Sequence, residues 1–247
     1  MDVLGIDIGG SGIKGAIVDT ATGTLKTERH RIETPKPATP DAVAETVGAV
    51  AQHFDWRGPI GCGFPAVIHA GVARTANNVD DAFIGTDVAA LLRRTTRCPV
   101  RLLNDADAAG LAEIAFGAGK RVAGVVLLIT VGTGIGSALF TDGRLVPNTE
   151  FGQVMVGDRT AERYASDATR KRKDLRWEEW AERFSKVLDR LDALVSPDLF
   201  VLGGGAAKKM HKFEHALTGE FPLVPAAALN QAGIVGAACA AADGGAA

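Results

Sequence analysis

The chain has 247 residues, 47% of them hydrophobic and 23% charged, with a formal charge of -2. That length and composition describe a folded globular protein with a sizeable core, in one large domain or two small ones, and exclude disorder. The near-neutral charge excludes a general attraction to nucleic acid or acidic membranes, and no apolar run reaches membrane-spanning length.

The N-terminal residues, MDVLGIDIGG, lack a basic segment followed by an apolar one, so no secretory signal is expected. Cys62, Cys98 and Cys239 are widely spaced and form no CxxC, which predicts reduced, buried thiols in a cytoplasmic protein. The first element is an apolar strand, VLGIDI, running into GGSGIKGAIVD. Gly10, Gly12 and Gly15 spell G-x-G-x-x-G, but a dinucleotide-binding turn must open a helix. Here Ala16, Ile17 and Val18 are a β-prone run that ends at DTATG. The expected order is therefore strand, glycine turn, strand, turn, strand.

Residues 40–54 have helical apolar spacing behind a Pro-Asp start, and residues 59–64 read as a buried strand. A short helix over 87–94, a strand over 99–104 and a helix over 106–117 follow. GTGIGSALFT at 132–141 then repeats GSGIKGAIVD at 10–19, again behind an apolar strand, VVLLIT, and ahead of a turn. A long amphipathic helix covers 177–195. A strand over 198–205 ends in three glycines, an alanine-rich helix closes the chain over 226–242, and the tail DGGAA is expected to fray. Alternating strands and helices around two matched hairpins predict a duplicated α/β fold. The expected N-terminal lobe is 1–108, joined by the closing segment 226–247, and the expected C-terminal lobe is 109–225.

Glycine turns after strands present backbone N–H groups, which suit anionic oxygens. Two such turns facing across a cleft would grip a phosphate chain, with hydroxyls from Ser11 and Thr133 and a point charge from Lys14. Asp7 is a carboxylate inside an apolar strand at the lip of the first turn. It either holds Mg²⁺ through water beside the phosphates or caps the turn. Asn104 and Asp105 end the strand PVRLL, at the edge where open α/β sheets place ligands. Asp105 is the candidate general base for an attacking hydroxyl, with Asn104 holding the acceptor and Asp107 capping the helix.

Taken together, DIGGSGIKG, NDADAAGLAE, TVGTGIGSA, PNTEFGQ and LFVLGGGAAKK, in this order, resemble the ROK family of sugar kinases. Within it the chain is most similar to the polyphosphate glucokinases. The resemblance implies an actin-like (ribonuclease H-like), duplicated, two-lobed α/β kinase fold. It also implies phosphoryl transfer to the 6-hydroxyl of glucose from inorganic polyphosphate, with ATP as a second donor and Mg²⁺ as cofactor. By motif, Asp105 is similar to the catalytic base, and Asn104, Glu150 and Glu162 to sugar-binding residues. Gly10, Ser11, Gly12, Gly132, Thr133 and Gly134 resemble the two phosphate loops, and Gly203, Gly204 and Gly205 the stretch near the nucleotide. A homodimer is expected from the family, without nucleic acid or membrane partners. ROK repressors add a basic DNA-binding segment, whereas here the first strand begins at about Val3.

Two departures stand out. The chain has no cysteine between Cys98 and Cys239, so the zinc motif of many ROK proteins is missing and no structural zinc is expected. The family's E-x-G-H reads Glu150-Phe151-Gly152-Gln153. Gln153 can still exchange hydrogen bonds with a sugar hydroxyl but does not titrate near neutral pH. An ATP-dependent hexokinase with another sugar preference, or a non-catalytic sugar binder, are therefore the alternatives. Arg170, Lys171, Arg172 and Lys173 form a basic run that either binds a polyanion or is a solvated helix end, with Arg163 and Lys120 as weaker candidates. Trp177 and Trp180 share a helix face, for core packing or a dimer contact. His211 and His215 are expected on the surface of a helix, with no third metal ligand.

Overall fold

The computed structural model describes residues 1–228 and 231–242. The chain forms two compact units. The first holds residues 1–115 and the described segment 231–242, and the second holds the described residues 116–228.

The first unit opens with β1 (Asp2–Gly9) and β2 (Gly12–Asp19), an antiparallel hairpin. Two short strands, β3 (Thr24–Leu25) and β4 (His30–Ile32), both add to the outer edge of β2. Helix α1 (Pro40–His53) starts on Pro40, whose missing N–H costs nothing in a first turn, and buries Val43, Ala44, Val47, Val50 and Ala51. β5 (Ile60–Phe64) runs parallel to β1 and is buried at every residue, as a covered parallel strand must be. A small hairpin, β6 (Ile68–His69) and β7 (Val72–Ala73), precedes α2 (Val88–Thr96). Asp87 caps α2, accepting the Ala90 N–H at 2.8 Å. β8 (Val100–Asn104) lies parallel to β5 and runs directly into α3 (Asp105–Phe116). The strand order is β3-β2-β1-β5-β8.

The second unit repeats this plan. β9 (Val125–Val131) and β10 (Ile135–Thr141) form the hairpin, and β11 (Arg144–Val146) extends it. A two-stranded ribbon, β12 (Met155–Val156) and β13 (Arg159–Thr160), leads to the short helices α4 (Ala161–Ala165) and α5 (Asp167–Arg172). Helix α6 (Trp177–Val195) buries Trp180, Phe184, Val187, Leu188 and Leu191 along one stripe. β14 (Leu199–Gly203) is parallel to β9, followed by α7 (Gly204–Ala207) and then β15 (Leu223–Pro225), parallel to β14. The order β11-β10-β9-β14-β15 matches the path β3-β2-β1-β5-β8 of the first unit, whose β4 has no counterpart among the described residues of the second sheet. The ten-residue repeat in the sequence is thus a repeat of topology.

The chain then returns to the first unit as α8 (Ala232–Ala242), which packs on β1 and β5. Small residues set that contact, since any side chain at Gly61 would collide with the Ala237 carbonyl. This helix starts later than its alanine content suggests. Ala226 instead continues the sheet contact, its N–H donating to Leu202 O at 2.8 Å. Residues 229–230 of the expected helix and the tail 243–247 lie outside the described residues. Among the described residues no helix is long and apolar enough to cross a membrane.

Candidate functional site

In the first unit the hairpin closes with Gly9 opposite Gly12, leaving Gly10 and Ser11 as a two-residue turn. Asp7 lies opposite Lys14, and their side chains form an ion pair at 3.4 Å. Asp7 therefore meets Lys14 across the rung and does not cap the turn, which was one of its two expected roles. A side chain at Gly12 would have to displace Arg31, whose Nε would lie 2.6 Å from a Cβ there. Arg31 Nη2 donates to Ser11 O at 2.6 Å, and the Thr34 hydroxyl donates to Gly9 O. Neither Arg31 nor Thr34 stands out in the sequence. They belong to β4 and its continuation, a strand too short to carry a period.

Asp7, Gly63 and Leu103 are in register across the parallel strands β1, β5 and β8. Two strand spacings, about 10 Å, separate the outer pair. Asp105 follows Leu103 by two residues, so both carboxylates stand at the carboxyl edge of one sheet. Asn104 is buried and its amide is committed locally. Its Oδ1 accepts the N–H groups of Ala106 at 2.8 Å and Asp107 at 3.1 Å, and its Nδ2 donates to Ala66 O at 3.1 Å. Asn104 thus fills the capping position expected of Asp107. Asp105 Oδ1 accepts the Ala106 N–H at 2.8 Å, which fixes the direction of the carboxylate at a helix start that favours negative charge.

In the second unit the hairpin closes with Val131 opposite Ile135, so Gly132, Thr133 and Gly134 make a three-residue turn. Gly132 N–H donates to Gly134 O at 2.9 Å, and Ile135 N–H donates to Glu162 Oε2 at 3.1 Å. The carboxylate lies so close that a side chain at Gly134 would overlap it. Glu162 sits in the first turn of α4, which Thr160 caps. Glu150 precedes a single 3-10 turn, Phe151–Gln153. Buried Ser137 ties that turn to β10, donating to Thr149 O at 2.7 Å and accepting the Phe151 N–H at 3.0 Å. Burial pushes the Glu150 carboxyl above its ordinary value, and the neighbouring charge of Glu162 adds to the shift. The structure thus brings Glu150, Glu162 and the second glycine turn together, whereas Gln153 is exposed. Gly203 ends β14, and Gly204, at φ 74°, bridges to Val131 as α7 begins.

The basic run is not uniform. Arg170 donates to Asp167 Oδ1 at 2.9 Å and to Leu175 O at 3.2 Å, with its guanidinium 4.1 Å from the centre of the Trp177 ring. Lys171, Arg172 and Lys173 are exposed. Trp180 is fully buried and donates to Ala165 O at 2.8 Å, so it packs the core. His211 and His215 are exposed but sit on two separate 3-10 turns, Met210–Lys212 and Glu214–Ala216, not on one helix. Phe213 between them, at φ -142° and ψ -11°, leaves the helical path and separates the two turns. Cys62 is buried, and burial pushes its thiol up to about 12. Among the described residues no group of three His, Cys, Asp or Glu side chains could hold a metal ion.

A family model described as "ROK family" matches residues 3–161. A polyphosphate glucokinase of Mycobacterium tuberculosis is 49% identical over 237 residues, which cover 96% of this chain and 89% of that protein. The crystal structure of an inorganic polyphosphate/ATP-glucomannokinase from Arthrobacter sp. strain KM superposes with a TM-score of 0.94 at 45% identity, covering 99% of both chains. A ROK family glucokinase from Streptomyces griseus, solved with glucose and AMPPNP, shares the fold with a TM-score of 0.82 at 22% identity, covering 98% of this chain and 100% of that one.

Proposed function

The chain belongs to the ROK family, with its actin-like duplicated α/β kinase fold, and on that footing we propose that it transfers a phosphoryl group from inorganic polyphosphate to the 6-hydroxyl of glucose. The observation that carries the reading is the pair of carboxylates, Asp7 and Asp105, at the carboxyl edge of one sheet beside a glycine turn that bears a cation. Asp105 accepts the proton of the attacking hydroxyl, its direction held by the Ala106 N–H. Glu150 and Glu162 accept hydrogen bonds from sugar hydroxyls, for which carboxylates are strong acceptors. Asn104 acts on the sugar from its capping position, with one amide hydrogen held by Ala66, and Gln153 adds an exposed amide. The Gly10–Ser11 turn, Gly12 and Lys14 receive the donor phosphates. Gly132, Thr133 and Gly134 assist, Glu162 already holding the N–H that follows them. Gly203 to Gly205 serve the nucleotide when ATP is the donor.

Asp7 offers a carboxylate oxygen three residues before Gly10 and, among the described residues, belongs to no cluster of three metal-ligating side chains, so it suits a Mg²⁺ held by one carboxylate through water and otherwise by phosphate oxygens. When bound, that ion neutralises charge on the phosphoryl group being transferred. A cytoplasmic homodimer completes the reading, the compartment supported by the free, buried thiols of Cys62 and Cys98, whereas Cys239 is only partly buried.

Initial rates with long-chain polyphosphate and with ATP, each against several hexoses, test the donor and the acceptor. Glucose with polyphosphate is the expected best pair. Turnover on ATP alone would replace this reading with an ATP-dependent hexokinase, and glucose binding without any transfer would replace it with a sugar binder. Asp105→Asn should lower kcat by about 10²–10⁴-fold and leave glucose binding intact, and near-normal turnover would remove Asp105 from the mechanism.

A further inference from the structure

Three charged residues occupy one rung of the first sheet. Asp7 opposes Lys14 across β1 and β2, and Lys14 opposes Arg31 across β2 and β4. Directly opposed residues point to the same face, so all three stand on one side of the sheet beside the glycine turn. Arg31 reaches onto the turn itself. Its Nη2 donates to Ser11 O at 2.6 Å, and its Nε and Cζ would lie 2.6 and 2.8 Å from a Cβ at Gly12. Buried Thr34 donates to Gly9 O from the same segment.

These two donors change what the turn presents to an anion. Bare carbonyl oxygens repel phosphate, and the carbonyls of Gly9 and Ser11 are both engaged. A guanidinium has five N–H donors in a planar fork that matches two oxygens of one phosphate. One bond to Ser11 O orients that fork without exhausting it, and Arg31 is exposed.

We propose that Arg31 is a ligand of the phosphoryl donor, binding non-bridging oxygens of the chain at the Gly10–Ser11 turn beside Lys14. This rests on the reading above that the first turn receives donor phosphates. The variants Arg31→Gln, Arg31→Lys and Thr34→Val separate a ligand from a mere brace. Calorimetric titration with inorganic tripolyphosphate should weaken by about tenfold in Arg31→Gln, a commonplace loss for one charge-assisted fork. The donor KM should rise in parallel, glucose KM and kcat should hold, and Arg31→Lys should recover part of the affinity. Thr34→Val, which bares the Gly9 carbonyl but removes no charge, should lower the melting temperature and weaken tripolyphosphate binding far less than Arg31→Gln does.

Unchanged tripolyphosphate binding in Arg31→Gln overturns the proposal. So does a rise in donor and glucose KM together with a lowered melting temperature, the signature of a structural prop. A wild-type protein that binds no tripolyphosphate overturns it as well. A protein that binds tripolyphosphate through Arg31 yet transfers nothing to a sugar upholds the proposal while removing the functional reading above.

Discussion

In the first unit the glycine hairpin closes with Gly9 opposite Gly12, whereas in the second Val131 lies opposite Ile135, one residue further along the same motif. The shift changes which residues meet. Lys14 faces Asp7 in one copy, and its counterpart Gly136 faces Thr130 in the other. The braces differ in sign as well. Arg31 donates to a carbonyl of the first turn, while Glu162 accepts an N–H at the end of the second. One sequence pattern has therefore produced a turn with cations around it and a turn with a carboxylate against it. A phosphate chain suits the first, and a neutral ligand rich in hydroxyls suits the surroundings of the second, where Glu150 also lies. Duplication supplies the scaffold, and residues outside the repeated ten decide what each copy does.

The sharpest way to break this comparison is to push each brace aside by the same chemical step. In Gly12→Ala the new methyl displaces the Arg31 guanidinium, and in Gly134→Ala it displaces the Glu162 carboxylate. Both obstacles are the far ends of flexible side chains, so the fold should survive with an overpacking cost of about 1–3 kcal/mol. Gly12→Ala should raise the donor KM by about tenfold and spare glucose, whereas Gly134→Ala, which moves Glu162 as well as the assisting turn, should raise glucose KM most and donor KM by less. Steady-state kinetics in both substrates decide the matter. The same KM pattern in both variants would mean that Glu162 does not set the second turn apart from the first.

A smaller effect sharpens the second half of the comparison. Glu150 is pushed up by burial and then by the charge of Glu162. In wild type, glucose KM should therefore rise as pH falls toward this raised value, earlier than an ordinary carboxylate would allow. Glu162→Gln keeps an acceptor for the Ile135 N–H and removes the charge. Glucose KM should rise several-fold at neutral pH through the lost carboxylate, about 1 kcal/mol. The acid limb of the profile should move to lower pH, and only part of the way, because burial remains. Stability carries the matching sign. A raised folded-state value means stability complete below the ordinary carboxyl value and lost as pH rises through the folded one. Relieving the repulsion should thus lift the melting temperature at neutral pH and leave it unchanged in acid. An unmoved acid limb would detach Glu150 from sugar binding.

Much of this arrangement was legible in the chain. Strong periods and punctuation marked α1, α6, β5 and β8, and the matched glycine turns marked the duplication. The place of Asp105 was legible because an apolar strand running straight into a helical pattern marks the carboxyl edge of a sheet. The braces were not legible. β4 is three residues long, so neither its pairing nor the reach of Arg31 to Ser11 leaves a local pattern. Short α4 hides the contact of Glu162 with Ile135 in the same way, although the ROK resemblance pointed to Glu162 itself. Nor could composition reveal that Asn104 would cap α3, because Asn and Asp compete for such positions on nearly equal terms. The single helix expected around His211 and His215 failed at Phe213, whose non-helical backbone separates two 3-10 turns.

Two arginines carry the comparison to its smallest expected effect. Arg31 is exposed with one bond to a turn carbonyl, while Arg170 is spent on its own unit, held by Asp167, Leu175 O and the Trp177 ring. Burial alone would push the Asp167 carboxyl up, but hydrogen bonds from Lys171 and Arg170 outweigh it and hold the group below its ordinary value. The stability this supplies is present above the ordinary carboxylate value and is lost as pH falls through the lowered one. Arg170→Ala should cost about 1–2 kcal/mol from the lost ring and carboxylate contacts, a melting-temperature drop of roughly 2–8 °C for a chain of this size. The gap from wild type should narrow in acid, where Asp167 is protonated in both proteins. Donor KM should stay within about twofold, because a guanidinium so engaged has little left for phosphate. A variant that keeps its melting temperature and loses affinity for long polyphosphate would make the basic run a polyanion site, and the first turn would no longer be the place where donor charge is met.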